Sequence, residues 1–242
     1  MNRAGRRRGQ SHVVGVVLLL GITTLALGGL TATVGTIVDG QTAAADEARV
    51  ERAFGTQLRP VEHTGPNEAR VRFSEGRLTT VEREVRITTP TGVVRTVDVG
   101  GLVYDSGEGR VAFLAGSVVR GTAGNAWLEH DPPVTVTRDE TAVVVGAPRV
   151  GAQGQSVAGG GTSVRLRTNV SHERTTLGEA EYGVALETAT PAPLARYFRG
   201  QNATTRTRDF DGDGVPSVVA TYPGDRTLYL VVHDMRLEVA HG

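Results

Sequence analysis

The feature that most constrains this chain is a long uncharged segment near its N-terminus. From Gln10 to Val38 there is no Asp, Glu, Lys or Arg, and residues 13–38 are mostly apolar. As an α-helix this apolar run would extend about 39 Å, which exceeds the roughly 30 Å hydrocarbon core of a bilayer. Arginines cluster before the segment, and Asp39 follows it. The charge asymmetry predicts a membrane-spanning helix with a cytoplasmic N-terminus and an extracellular C-terminal part.

Three interpretations of this segment compete. A cleaved secretory signal has an apolar region of about 7–15 residues, shorter than the run here, and a small-residue cleavage site. Ala43–Ala45 would offer such a site. A permanent signal anchor fits the length of the run. In the third interpretation, a peptidase cuts on the cytoplasmic side, before the apolar run, and the helix stays on the mature protein.

The residues around Gly9 favour the third interpretation. Basic residues end there, and the polar stretch Gln10-Ser11-His12 leads into Val13-Val14-Gly15 and the apolar run. This order resembles the class III signal of archaeal type IV pilins, in which a short basic leader precedes a polar-Ser-Pro-apolar-apolar-Gly start. His12 stands at the position of the proline. The resemblance covers about residues 6–58, is closest to pilin-like surface proteins of halophilic archaea, and implies cleavage between Gly9 and Gln10.

The same resemblance implies partners. They are the membrane, a prepilin peptidase, a pilus assembly ATPase with its membrane platform, and other pilin subunits. Four glycines of the apolar run are spaced by six, seven and seven residues, so they lie near one stripe of a helix: Gly15, Gly21, Gly28 and Gly35. Small residues let helices approach closely in lipid. The stripe therefore predicts a helix–helix seam, in a filament core or in a dimeric anchor.

The helix is predicted to continue beyond the apolar run. Residues 42–58 are rich in helix formers, and Val50, Phe54 and Leu58 recur every four residues to form one apolar ridge. Pro60 is a natural stop. The predicted domains are a cleaved leader (1–9), a transmembrane or filament-core helix (10–59) and an extracellular head (60–242).

The head has the pattern of a β domain. Val, Thr and Arg alternate with period two, as in Arg70–Phe73 and Val81–Ile87, and Gly- and Pro-containing turns such as Gly65–Asn67 and Pro90–Gly92 separate the strands. We expect an α+β protein: a long hydrophobic N-terminal helix followed by an antiparallel, sandwich-like β head. Residues 194–200 form a predicted short helix whose apolar face covers the core.

Composition excludes several kinds of chemistry. Cysteine is absent and all 26 cationic residues are arginine, so disulfides, Cys-based zinc sites, thiol catalysis and a phosphate-loop lysine are excluded. The zero net charge argues against nucleic-acid binding. No HExxH motif or other close pair occurs among the six histidines, which stand at positions 12, 63, 130, 172, 233 and 241. We therefore expect no enzyme.

One acidic loop and two sequons remain. Asp209, Asp211 and Asp213 match the first half of a calcium loop, but its twelfth position, Ala220, lacks the bidentate acid. The loop is thus either a structural calcium site completed elsewhere or an acidic surface turn; no other cofactor is expected. Asn169 and Asn202 each begin an N-glycosylation sequon.

These features predict a type IV pilin-like structural subunit, a major or a minor pilin, that assembles into or associates with a surface filament for adhesion. The alternative is a single-pass membrane protein whose extracellular β domain binds a partner and does not polymerise. A third class, an anchored enzyme, lacks a recognisable catalytic motif.

Overall fold

The computed structural model describes residues 8–58, 64–151 and 154–241, and within these ranges all side chains except those of 8–15 and 29–40. Helix α1 spans Arg8–Ala53 and continues as a π-helical turn, Phe54–Leu58. Pro60 and the first seven residues of the predicted leader lie outside the described residues. Contacts divide the chain into two units, Met1–Thr42 and Ala43–Gly242.

Among the described residues, no helix combines the length and the apolar character needed to cross a membrane.

The described residues after α1 form seventeen strands and one further helix, α2 (Pro191–Gly200). The strands are β1 Gly65–Phe73, β2 Arg77–Val81, β3 Glu84–Thr89, β4 Gly92–Asp98, β5 Gly101–Asp105, β6 Arg110–Leu114, β7 Ser117–Arg120, β8 Trp127–His130, β9 Val134–Val136, β10 Ala142–Arg149, β11 Ser156–Ala158, β12 Thr162–Ala180, β13 Gly183–Glu187, β14 Thr204–Arg208, β15 Ser217–Thr221, β16 Arg226–Asp234 and β17 Glu238–His241. The chain is therefore an α+β protein rich in strands.

These strands form three sheets. The first has the order β1-β12-β16-β10-β9, with β17 also paired to β12; the second is β11-β2-β5-β6-β7-β8; the third is β14-β15-β13-β3-β4. Strand pairing is antiparallel except between β10 and β16, which are parallel. The expectation of an antiparallel head is thus correct for the described pairs except this one. Because β10 and β16 are separated by several elements, the chain has room for the crossover that a parallel pair needs.

Two hydrophobic cores lie on opposite faces of the long strand β12. Val164 and Leu166, at even positions, belong to the core that the second sheet, β1 and the end of α1 build. Leu177, at an odd position, packs against the other core, which the third sheet, α2, β10 and β16 build. Successive side chains of a strand point to opposite faces. The first sheet therefore serves both cores, each from a different face.

Candidate functional site

The described part of the apolar run exposes its side chains. Eight large apolar side chains between Val16 and Leu27 are each 60–78% exposed. They are Val16, Val17, Leu18, Leu19, Leu20, Ile22, Leu25 and Leu27. Because these positions include consecutive residues, they cover every side of the helix. A contiguous apolar surface of this kind is typical of a segment that lipid or other protein surfaces cover.

The glycines of the predicted seam lie in this helix. A Cβ atom built on Gly21 or Gly28 meets no atom within 4 Å. Both positions are therefore open to an approaching helix. Gly15 and Gly35 also belong to α1, but their surroundings lie outside the described side chains. Gly9 and Gln10, the predicted cleavage site, fall in the first turn of α1.

The apolar ridge predicted further along the helix is buried. Val50, Phe54 and Leu58 are at most 1% exposed and belong to the core of the second sheet. The Phe54 ring meets Phe113 of β6 edge-on, with 6.4 Å between the ring centroids. The prediction of one ridge from these three residues is confirmed. This part of the helix therefore belongs to the same compact unit as the strands, Ala43–Gly242.

A buried carboxylate strengthens the same attachment. Asp46 is completely buried, and its Oδ2 accepts hydrogen bonds from the backbone N–H of Ser74 at 2.6 Å and of Glu75 at 3.3 Å. Its Oδ1 lies 2.5 Å from Arg49 Nη1. The Tyr104 hydroxyl donates to the Glu75 carbonyl at 2.7 Å. Burial, together with the charge of Asp46, raises the pKa of Tyr104 to about 12, so the hydroxyl stays protonated as a donor.

Two glycines, Gly109 and Gly55, make room for polar side chains where residues 46–58 pack on the strands. Glu47 accepts a hydrogen bond from Arg120 Nε at 3.0 Å, and a Cβ atom on Gly109 would collide with its carboxylate at 1.6 Å. A Cβ atom on Gly55 would lie 2.0 Å from the ring of His130. Residues 46–58 therefore fit the β unit through apolar burial, hydrogen bonds and close backbone approach.

The acidic loop brings its three carboxylates together. Oxygen atoms of Asp209, Asp211 and Asp213 lie within 4.8 Å of one another, and all three residues are exposed. Each also accepts a backbone N–H of the loop, such as Gly212 N–H at 2.8 Å from Asp209 and Val215 N–H at 2.7 Å from Asp213. Carboxylates at this spacing suit a hard cation such as Ca²⁺. Calcium binding at this loop stays a prediction.

A buried arginine holds the loop against the third sheet. Arg86 Nη2 lies 2.7 Å from Asp211 and 2.5 Å from Glu84, and Arg86 Nη1 lies 3.5 Å from the buried Glu187. The Asp213 backbone N–H and Arg86 both hold the pKa of Asp211 below its usual range, whereas burial raises the pKa of Glu187. The guanidinium is therefore the cation that these three carboxylates share.

Both predicted glycosylation residues are exposed. Asn169 lies within β12, where it pairs with Pro66 of β1. Asn202 lies in the turn after α2, with a left-handed φ of 61°. Since a glycosylating enzyme must reach the side chain and its surrounding backbone, the turn at Asn202 is the more accessible of the two.

Two histidines that are distant in the sequence are neighbours in the structure. His172 of β12 and His233 of β16 are paired in register, and their Nδ1 atoms are 2.8 Å apart. The rings meet edge to face, with 4.9 Å between centroids. Sixty-one residues separate them in sequence, so only the strand register reveals the pair. Burial is the main cause that lowers the pKa of His233 to about 4, and the charges of His172 and Arg174 lower it further.

Comparison with known proteins identifies a matching family. A family model described as "Family of unknown function (DUF7289)" matches residues 8–238. No curated protein and no solved structure matches the chain.

Proposed function

The chain belongs to the DUF7289 family, and we propose that it is a type IV pilin-like structural subunit. In this proposal a peptidase removes the basic leader between Gly9 and Gln10. The hydrophobic N-terminal helix anchors the subunit in the membrane and then packs with other subunits in a surface filament. The β head faces the outside and serves adhesion.

The observation that carries the proposal is the contrast along helix α1. Between Val16 and Leu27 large apolar side chains are exposed on every side of the helix, whereas Val50, Phe54 and Leu58 are buried in the head. The first segment needs an apolar environment from outside the chain, and the second binds the chain's own head. A filament subunit needs both kinds of segment: one to join a bundle of helices, the other to hold the head to that bundle.

The sequence around the start of α1 supports the same role. Arg6, Arg7 and Arg8 precede Gly9, and uncharged residues follow it. Cutting after Gly9 would remove the leader arginines and place the apolar run at the new N-terminus. The start of the helix would then be free of the positive charges that keep it on the cytoplasmic side.

The head is proposed to be sandwich-like and extracellular. Its support is the pair of cores, each enclosed between the first sheet and another sheet. Two exposed sequons would then lie on the outer side of the membrane, where surface glycans are added.

Filament incorporation tests the proposal. We expect wild-type protein in the sheared filament fraction of the native host, and loss of that fraction when Gly21 and Gly28 are both changed to Leu, because the larger side chains would separate adjacent helices. Gly178→Ala in β12 is the control. A Cβ atom at Gly178 also meets no atom within 4 Å, but this glycine lies in the head and not in the apolar helix. Wild-type protein that remains entirely in the membrane fraction would favour the non-polymerising anchor.

A processing variant separates the same two functions. Changing Gly9 to Val should leave a pilin precursor uncut and about nine residues longer than the mature chain. In an ordinary membrane anchor, the same change should not alter processing. The precursor is detected as an upward mass shift. Equal masses for wild type and variant would argue against the proposal.

A further inference from the structure

The geometry of His172 and His233 points to a metal site, and we propose that these two imidazoles bind a divalent transition-metal cation of the zinc or copper class. The site lies on the first sheet, and the inference does not depend on the filament role.

The distance between the rings fits metal chelation. The Nδ1 atoms are 2.8 Å apart. Metal–imidazole bonds of about 2.0–2.1 Å, at angles of about 90–109°, place two donor nitrogens about 2.9–3.4 Å apart. The observed separation is thus only slightly shorter than this range, and rotation of the two side chains must turn both Nδ1 lone pairs toward a point off the line that joins them.

The strands hold the two ligands in place before any metal arrives. His172 and His233 are direct partners in the antiparallel ladder of β12 and β16, and the ladder continues on one side with Arg174 opposite Val231. On its other edge β16 pairs with β10. Both strands are thus paired along the site, and binding does not require a loop to become ordered. Ligands fixed in this way lose little conformational freedom on binding.

The site opens into a surface groove. The groove has a volume of about 580 Å³, and its lining includes both histidines, Thr135 and Arg174; among the residues that the structure describes, no acidic side chain lines it. Gly146 also lines it; a Cβ there would lie 3.3 Å from His233 Nε2. Water, or a small anion beside Arg174, can fill the remaining coordination positions.

The donor atoms define the class of metal. Imidazole nitrogen suits Zn²⁺, Cu²⁺ and Ni²⁺, whereas Ca²⁺ and Mg²⁺ take oxygen ligands. One of the two rings now donates its Nδ1–H to the other. On metal binding that ring must carry its proton on Nε2 instead, so that both Nδ1 lone pairs face the cation.

Zinc titration of the full chain in detergent tests the site. We expect isothermal calorimetry with ZnCl₂ to detect binding in wild type, and His172→Gln and His233→Gln each to lose it, because a single imidazole offers no chelate. His241→Gln is the matched control: His241 is an exposed histidine on β17 and should leave zinc binding unchanged.

A second measurement needs no variant. In ¹⁵N spectra of the histidine rings of wild-type protein, Zn²⁺ should shift the Nδ1 resonances of two rings and leave the others in place. Absence of zinc binding by wild type, wild-type zinc binding by both Gln variants, or unmoved Nδ1 resonances in the presence of Zn²⁺ would each overturn the inference.

Discussion

Residues 16–28 and residues 46–58 follow one another along a single helical stretch, yet their side chains have opposite surroundings. In the first segment large apolar side chains are 60% exposed or more; in the second, Phe54 and even the charged Asp46 are fully buried. Burial of a charge requires hydrogen-bond partners, and Asp46 has them in the N–H groups of Ser74 and Glu75. The difference teaches that the head buries only the second segment; the proposed function assigns the first to a surface outside the chain.

Glycine makes the same distinction. Gly55 lies so close to His130 that a Cβ atom would collide with the ring, whereas Gly21 has open space around it. One glycine serves a contact that exists within the chain. The other is available for a contact with a neighbouring molecule.

The largest expected effect is on the free energy of unfolding, and it differs between the two segments. Phe54→Ala should reduce the free energy of unfolding by about 3–5 kcal/mol, because it removes a fully buried ring that packs on Phe113. Leu25→Ala, in the exposed segment, should change it by less than about 0.5 kcal/mol. Urea denaturation of both full-length variants in detergent measures the difference. Equal losses of unfolding free energy in the two variants would contradict the difference between the two segments.

The buried carboxylate predicts a smaller loss. Asp46→Ala leaves the N–H groups of Ser74 and Glu75 without their acceptor, at a cost of about 1–3 kcal/mol. The same denaturation experiment measures it, with Glu238→Ala at an exposed position of β17 as the control. A variant as stable as the control would show that Asp46 does not fix the helix to the head.

The two glycines give the smallest expected effects, a loss of stability at Gly55 and no loss at Gly21. Gly55→Ala should destabilise by about 1 kcal/mol or more, because the added carbon must displace the His130 ring. Gly21→Ala should be neutral or stabilise by up to about 1 kcal/mol, since alanine favours the helix and meets no neighbour. Thermal unfolding of the two variants compares them directly. Destabilisation of both to the same extent would remove the distinction between the two glycines.

Local patterns predicted several elements of this fold. The four-residue spacing of Val50, Phe54 and Leu58 identified the buried ridge. The apolar face of residues 194–200 predicted α2, whose Leu194 and Phe198 are buried in the core that the third sheet helps to build. Such patterns succeed because side chains one helical turn apart share a face, which is a property of neighbouring residues alone.

Predictions failed where a single turn or a distant partner decides the structure. Gly65–Asn67 has the composition of a turn, but it forms the start of β1, because β12 supplies its ladder partners. Residues 110–119 have the sequence of a single strand, but Ala115 and Gly116 both have positive φ and make a two-residue turn between β6 and β7.

The histidine pair could not be predicted for the same reason. It depends on the register between β12 and β16, which contacts across the whole unit determine and no local motif records. The acidic loop, in contrast, was visible as a motif, but its attachment through Arg86 was not, because that residue lies on a strand 125 positions away from Asp211.

The most direct test of the pilin-like function is the N-terminal residue of the protein recovered from its native membrane fraction, determined by mass spectrometry of the terminal peptide. The proposal predicts a chain that begins at Gln10, with the apolar helix retained. A chain that keeps Met1 and the intact leader, or one that begins near Asp46 without the apolar segment, would contradict it.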